Sequence, residues 1–192
     1  MGIKKPNCII IHGCPSNAEK AMDPARRTYD KHWIPWLKNE LTKRGITTDT
    51  PFMPTPWQPV YRDWKREIEK LPVTENTILI GHSCAAAFLT KWLGETKRSV
   101  KKLIFVGGAR IAKKQDYRKD DLYLGEISSD IKNKVKDVVL FISNDNPRHI
   151  RSTNIYAKEL NGRIIRLKNR GHFTFKDMGT NEFPELLAEV LS

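Results

Sequence analysis

Short apolar runs bounded by turn formers alternate along this chain with longer stretches in which apolar residues recur at helical spacing. The first run, 7–12, carries Cys8, Ile9, Ile10 and Ile11, reads as a strand, and stops at Gly13. Over 31–44, Trp33, Trp36, Leu37 and Leu41 share one helical face, with Asp30 placed to cap the start and Gly45 to end it. A second strand is expected over 46–52, and Pro56 then opens a helix that aligns Trp57, Val60, Tyr61, Trp64, Ile68 and Leu71. The run 77–80 is a third strand. It passes without a spacer through Gly81-His82-Ser83-Cys84-Ala85 into a helix reaching about residue 93. Strands over 103–106, 138–143 and 164–167 and helices over 148–160 and 182–191 complete the pattern. The stretch 109–130, rich in Lys113, Lys114, Arg118 and Lys119, is the least regular and reads as a flap or a surface loop.

Strands of this kind separated by amphipathic helices imply βαβ units around a parallel sheet. The expected fold is therefore a three-layer α/β/α domain with about six mainly parallel strands in the order 2-1-3-4-5-6. Its site should lie at their carboxyl ends, where the winding reverses. At 192 residues the chain reads as one domain, 1–192. No apolar run nears the roughly 20 residues of a membrane span, and the start lacks the pattern of a secretory signal, so a soluble, cytoplasmic protein with no membrane partner is expected. Cys8, Cys14 and Cys84 show no metal-ligand spacing and are read as reduced thiols, with no metal site. The net charge of +12 raises the question of an anionic partner. Its cations are dispersed among acids, as in Arg62-Asp63-Trp64-Lys65-Arg66-Glu67, which fits solvated helix faces. No nucleic-acid motif accompanies them, and no nucleic-acid partner is expected.

Chemistry concentrates at the ends of the strands. Attack on an ester or amide carbonyl needs a hydroxyl that can lose its proton and N–H donors for the developing oxyanion. A serine on a sharp turn between strand and helix meets both needs, because the turn lifts its side chain and aims the next N–H, here that of Cys84, at the oxyanion. Ser83 occupies such a turn, with Gly81 two residues before it and Ala85, rather than glycine, two after. Alone, this match fits a mundane strand-to-helix turn equally well. Asp145, in the loop Ser143-Asn144-Asp145-Asn146-Pro147, fits the orienting acid, although turn chemistry also explains an aspartate there. His172, after the sixth strand, fits the general base, although a lone histidine is more often structural. The order serine, acid, histidine at strand ends is what joins them. His82 neighbours Ser83, but alternate side chains of an extended segment point opposite ways, which makes it a poor base. His32 and His149 lie in helical segments and receive no role. The second oxyanion N–H is expected from the loop after the first strand, at Cys14 or else Gly13, with His12 shaping that loop.

Together the His12-Gly13 pair, Gly81-His82-Ser83-Cys84-Ala85, the loop 143–147, the closing Gly171-His172-Phe173 and the segment from Pro54 to Trp64 resemble the small serine hydrolases of the retinoblastoma-binding-protein-nine or YdeN-like family. The resemblance spans nearly the whole chain. It implies a reduced α/β-hydrolase fold without the large cap of lipases, and a catalytic triad falling on Ser83, Asp145 and His172. The chain departs from the pattern at Ala85 and at Asp145-Asn146, where relatives often carry paired acids.

The expected reaction is hydrolysis of a small carboxylic ester or activated amide through an acyl-enzyme on Ser83, with no cofactor. Arg110, Lys113 and Lys114 would draw a carboxylate or phosphate on the substrate, though solubilising charge accounts for them too. Trp57, Met53 and Phe173 are candidates for the wall of an acyl pocket, and core packing explains each as well. The competing reading is a non-catalytic member of the fold serving as a protein-interaction module.

Overall fold

The computed structural model describes residues 6–25, 27, 32–111, 120–123 and 125–192. Six strands form one parallel sheet: β1 (Cys8–Ile11), β2 (Thr48–Asp49), β3 (Ile78–His82), β4 (Val100–Val106), β5 (Val135–Ile142) and β6 (Arg163–Arg166), in the spatial order β2-β1-β3-β4-β5-β6. This is the order the sequence predicts.

Alternation along the strands divides the interior in two. Ile9, Ile11, Leu79, Leu103, Phe105, Val138 and Leu140 face α3 (Tyr61–Glu69), α4 (Ala85–Glu95) and α7 (Pro147–Leu160). Their neighbours Cys8, Ile10, Ile78, Ile80, Ile104, Val106, Val139 and Phe141 face α2 (Ile34–Lys43) and α9 (Pro184–Leu191), against Trp33, Leu37, Leu41, Phe183 and Leu186. Register then fixes the working edge. Ile11 lies opposite Gly81, His82 opposite Val106, and Val106 opposite Phe141, so the segments following β1, β3, β4 and β5 emerge side by side.

The opposite edge is tied by charge. Lys102, in β4, is buried, and its ammonium donates to the Glu189 carboxylate (3.0 Å), the Glu189 carbonyl (2.8 Å) and the Ser192 hydroxyl (2.9 Å). Arg163 reaches the same carboxylate. These contacts fasten α9 to the sheet.

Several element boundaries differ from expectation for local reasons. The second strand contracts to two residues because Pro51 has no N–H to continue the ladder. The third helix begins at Tyr61, not Pro56, because Thr55 takes a left-handed turn (φ 39°) and Pro59 sits just before the helix. Trp57 and Val60 therefore lie outside the helix. The third strand runs on to His82, which puts Ser83 directly at its end. Asp30, Lys113, Lys114, Arg118 and Lys119 lie outside the described residues; α2 starts after Trp33 with Pro35 in its first turn. Short helices α1 (Ala18–Met22), α5 (Asp120–Tyr123), α6 (Ile131–Lys134) and α8 (Phe175–Met178) were not expected. No cap domain is inserted among the described residues, and none of their helices is long and apolar enough to cross a membrane.

The cysteines require a correction. Cys14 and Cys84, 70 residues apart, form a disulfide with a Cα–Cα distance of 5.9 Å, and Cys8 alone is free, buried in β1. Spacing gave no sign of this bond; the pairing of β1 with β3 brings the two loops together. With two of the three thiols oxidised, cysteine usage no longer argues for a reducing compartment.

Candidate active site

Ser83 sits between β3 and α4 with φ 54°, a conformation that non-glycine residues rarely adopt and that surrounding contacts must hold. Its N–H donates to the Val106 carbonyl (3.0 Å), and its own carbonyl accepts from Ala86 (3.1 Å) and Ala109 (2.9 Å). The doubling back leaves no room at Gly81, where a Cβ would come within 3.0 Å of a Leu89 methyl and 3.1 Å of the Ala85 backbone. Ala85 itself is accommodated, fully buried as the first residue of α4.

The three side chains singled out in sequence meet here. Ser83 Oγ lies 3.0 Å from His172 Nε2, and His172 Nδ1 lies 2.5 Å from Asp145 Oδ2. The carboxylate accepts from Nδ1–H, which leaves Nε2 with its lone pair toward the serine hydroxyl. Backbone contacts fix the imidazole. The His172 N–H donates to Asp177 Oδ2 (3.0 Å), and its carbonyl accepts from His82 Nε2–H (3.0 Å). His82 thus braces His172 from behind, in a buried position that pushes its own pKa well below that of a free imidazole.

His149, to which the sequence gave no role, joins the same carboxylate. Its Nδ1 lies 2.8 Å from Asp145 Oδ2, and its ring stacks on His172 at 4.2 Å. Burial lowers the His149 pKa, against a hydrogen bond to Asp145 that raises it. For Asp145, burial pushes the pKa up, but the hydrogen bonds from His149 and His172 and the charges of both rings outweigh this, holding the carboxyl well below the usual range. The signal that could have found His149 is its place four residues after Asp145 in a segment where Pro147 opens a helix. Asn146, at the position where relatives often carry a second acid, is the N-cap of α7 and accepts from Arg148 and His149 N–H (both 3.1 Å).

The N–H groups of Cys84 and Cys14, the donors expected for an oxyanion, find no acceptor among the described residues. The Cys14–Cys84 disulfide joins the two residues that carry them. His12 spans the loop between β1 and Cys14, its Nδ1–H donating to the Gly13 carbonyl (2.8 Å) and its Nε2 accepting from Met53 N–H (3.0 Å). Gly13 packs so close to the elbow that a Cβ would lie 3.2 Å from that of Ser83.

Ser83 and His172 open into a cavity of about 250 Å³ lined also by Cys14, Ser16, Cys84, Ala109, Ile111, Tyr123, Arg148 and His149. The expected pocket residues are elsewhere. Met53 and Phe173 are fully buried in the two cores, Phe173 stacked on Phe183. Trp57 is half-buried away from the cavity. Arg110 donates to the Gly125 carbonyl (2.6 Å) and borders a separate hollow with Glu126 and Glu159. Side chains that follow helix starts and loops, rather than the aromatic positions of a periodic helix, make this wall. Asp145, His149 and His172 place three donor atoms within 4.8 Å of one another, near enough to hold a metal ion. The Asp145 carboxylate is already hydrogen-bonded to both rings, so a cation there would compete with the Asp145–His172 contact.

A parallel sheet wound in this order, with a nucleophile elbow at its carboxyl edge and a histidine and an acid converging on it, defines the α/β-hydrolase class. The chain belongs to the serine hydrolase family, whose profile matches residues 25–191. No curated protein matches its sequence. Among solved structures it is similar to the ydeN gene product of Bacillus subtilis (TM-score 0.83, 23% identity, covering 98% of this chain and 97% of that one). It is also similar to the esterase EaEST of Exiguobacterium antarcticum (0.66, 14%, 100% and 94%). A third likeness is to Est1E of Butyrivibrio proteoclasticus, solved with ferulic acid bound (0.65, 14%, 97% and 87%).

Proposed function

We propose that this serine hydrolase is a carboxylesterase that works through an acyl-enzyme on Ser83. The observation that carries the reading is the continuous hydrogen-bonded chain from Ser83 Oγ through His172 to Asp145, with the N–H groups of Cys84 and Cys14 at its serine end. In the first step His172 Nε2 takes the serine proton as Oγ attacks the substrate carbonyl, and Asp145 stabilises the imidazolium. The negative charge that forms on the carbonyl oxygen is met by the Cys84 and Cys14 N–H groups. His172 then returns the proton to the leaving alcohol. Water, deprotonated by the same imidazole, releases the acid. The residues needed for these steps are all contributed by the chain, and the esterases among the structural neighbours support an ester over an amide as substrate.

A fluorophosphonate probe tests the nucleophile. Labelling of the native protein, lost in Ser83→Ala, is the expected result, and absence of labelling would support a non-catalytic role. Hydrolysis of p-nitrophenyl esters of increasing acyl length, measured beside His172→Ala, tests the base. Undiminished turnover in that variant would remove His172 from it.

A further inference from the structure

One side chain of the catalytic cavity has no task in the chemistry described above. Arg148, the second residue of α7, lines the same cavity as Ser83 and His172. A guanidinium carries five N–H donors, and inside proteins they end on carboxylates, carbonyls or water. Arg44, Arg163 and Arg170 each reach a glutamate in this fold, and Arg110 a backbone carbonyl. Arg148 pairs with no carboxylate among the described residues. Its nearest polar contact is a long one, Nη2 at 3.4 Å from His149 Nε2. Its Nε–H is shielded from solvent and has no hydrogen-bond partner among the described residues. A cation that lines a cavity with no carboxylate among its lining residues, and that keeps a buried donor unsatisfied, is the arrangement of an anion-binding subsite.

We propose that Arg148 binds a carboxylate carried by the substrate, so that the esters cleaved at Ser83 are acidic ones. This rests on the assignment of Ser83 as nucleophile and adds the substrate class to it. The subsite also has a place for the charge. The start of α7 contributes the positive end of its helix dipole on the same side of the cavity. The overall charge of +12 favours approach of an anion. The guanidinium offers paired parallel donors that match a carboxylate in a way an ammonium does not. The sequence offered Arg110, Lys113 and Lys114 for substrate-attracting charge; Arg148 instead stands in the first turn of the helix that follows the next strand, at a residue no motif marks.

The test compares acidic esters with neutral isosteres. Mono-p-nitrophenyl glutarate against p-nitrophenyl valerate places the carboxylate on the acyl side, and 4-acetoxybenzoate against phenyl acetate places it on the leaving group. The expected result is a preference of at least tenfold in kcat/KM for the acidic partner of one pair. The ratio should fall toward one in Arg148→Gln, with the change mainly in KM, and should recover only partly in Arg148→Lys. Binding is measured separately from turnover, with monomethyl glutarate titrated by NMR into Ser83→Ala protein with and without Arg148→Gln. Melting temperatures confirm that each variant is folded. Ratios near one in both pairs, or binding that Arg148→Gln leaves unchanged, would overturn the proposal. Failure of every ester and of the fluorophosphonate label, with Arg148-dependent binding of monomethyl glutarate retained, would instead count against the nucleophile and leave the anion subsite standing.

Discussion

Asp145 accepts hydrogen bonds from two imidazoles at one oxygen, and this shapes what its loss would do. In Asp145→Asn the amide can present an N–H toward His172 and favour the tautomer whose Nε2 carries the proton, facing Ser83 with a donor where an acceptor is needed. The expected outcome is a fall in kcat on the order of 10⁴-fold with little change in KM, the size seen when a triad acid is amidated elsewhere. Steady-state kinetics on a p-nitrophenyl ester checks it, and a loss below tenfold would show that His172 is oriented by other contacts. Ser83, Asp145 and His172 were legible in the sequence because each follows a strand and their order is diagnostic. His149 and Arg148 were not singled out, since their roles depend on how α7 starts, which is what brings both to the cavity.

Among the elements, the loops after β1 and β3 depend on each other through the Cys14–Cys84 bond. Closing a loop of this length restricts the unfolded chain and is worth about 4 kcal/mol on a chain-entropy account. Cys14→Ser, or a dithiol reductant, should lower the unfolding free energy by up to that amount. Turnover should also fall, because the two N–H donors lose their mutual restraint. Denaturant unfolding followed by tryptophan fluorescence, with activity read in parallel, measures both, and unchanged values in reductant would show that the loops are held by packing alone. Cys8 provides an internal control: burial pushes its thiol pKa up and keeps it from alkylating reagents in the native state. The strands and their order were readable because each is a nearly unbroken apolar run. The third helix was misplaced because its apolar spacing continues backward through Trp57 and Val60, while the backbone there is governed by Thr55 and Pro59. The disulfide was hidden for a related reason: it is a property of strand register, which spacing does not contain.

For the whole molecule, buried imidazoles set the response to acid. His12 is held neutral by burial, which outweighs its bond to the Gly13 carbonyl and lowers its pKa to about 4; burial brings His32 to about 4 and His82 well below its ordinary value. A pKa lower in the folded state than in the unfolded one means that the unfolded chain binds more protons between the two values. Stability from these groups is complete above about pH 6.5, declines as pH falls, and is lost by about pH 4, with His12 alone contributing about 3 kcal/mol. Asp145, whose pKa is also lowered on folding, adds a further loss below its unfolded value. The melting temperature should therefore drop steeply between pH 6.5 and 4, and His12→Gln should flatten the slope; a flat profile for the native protein would contradict the buried, neutral state of these rings. The buried Lys102–Glu189 attachment has a consequence of another kind. It lies four residues of β4 upstream of Val106, which holds the elbow, a separation of about 13 Å along the strand. At that distance substitutions combine by simple addition. The anchorage of the last helix can thus be strengthened or weakened as a ballast against changes at the cavity wall, and the chain can trade robustness at one pole for new specificity at the other without the two sets of residues ever meeting.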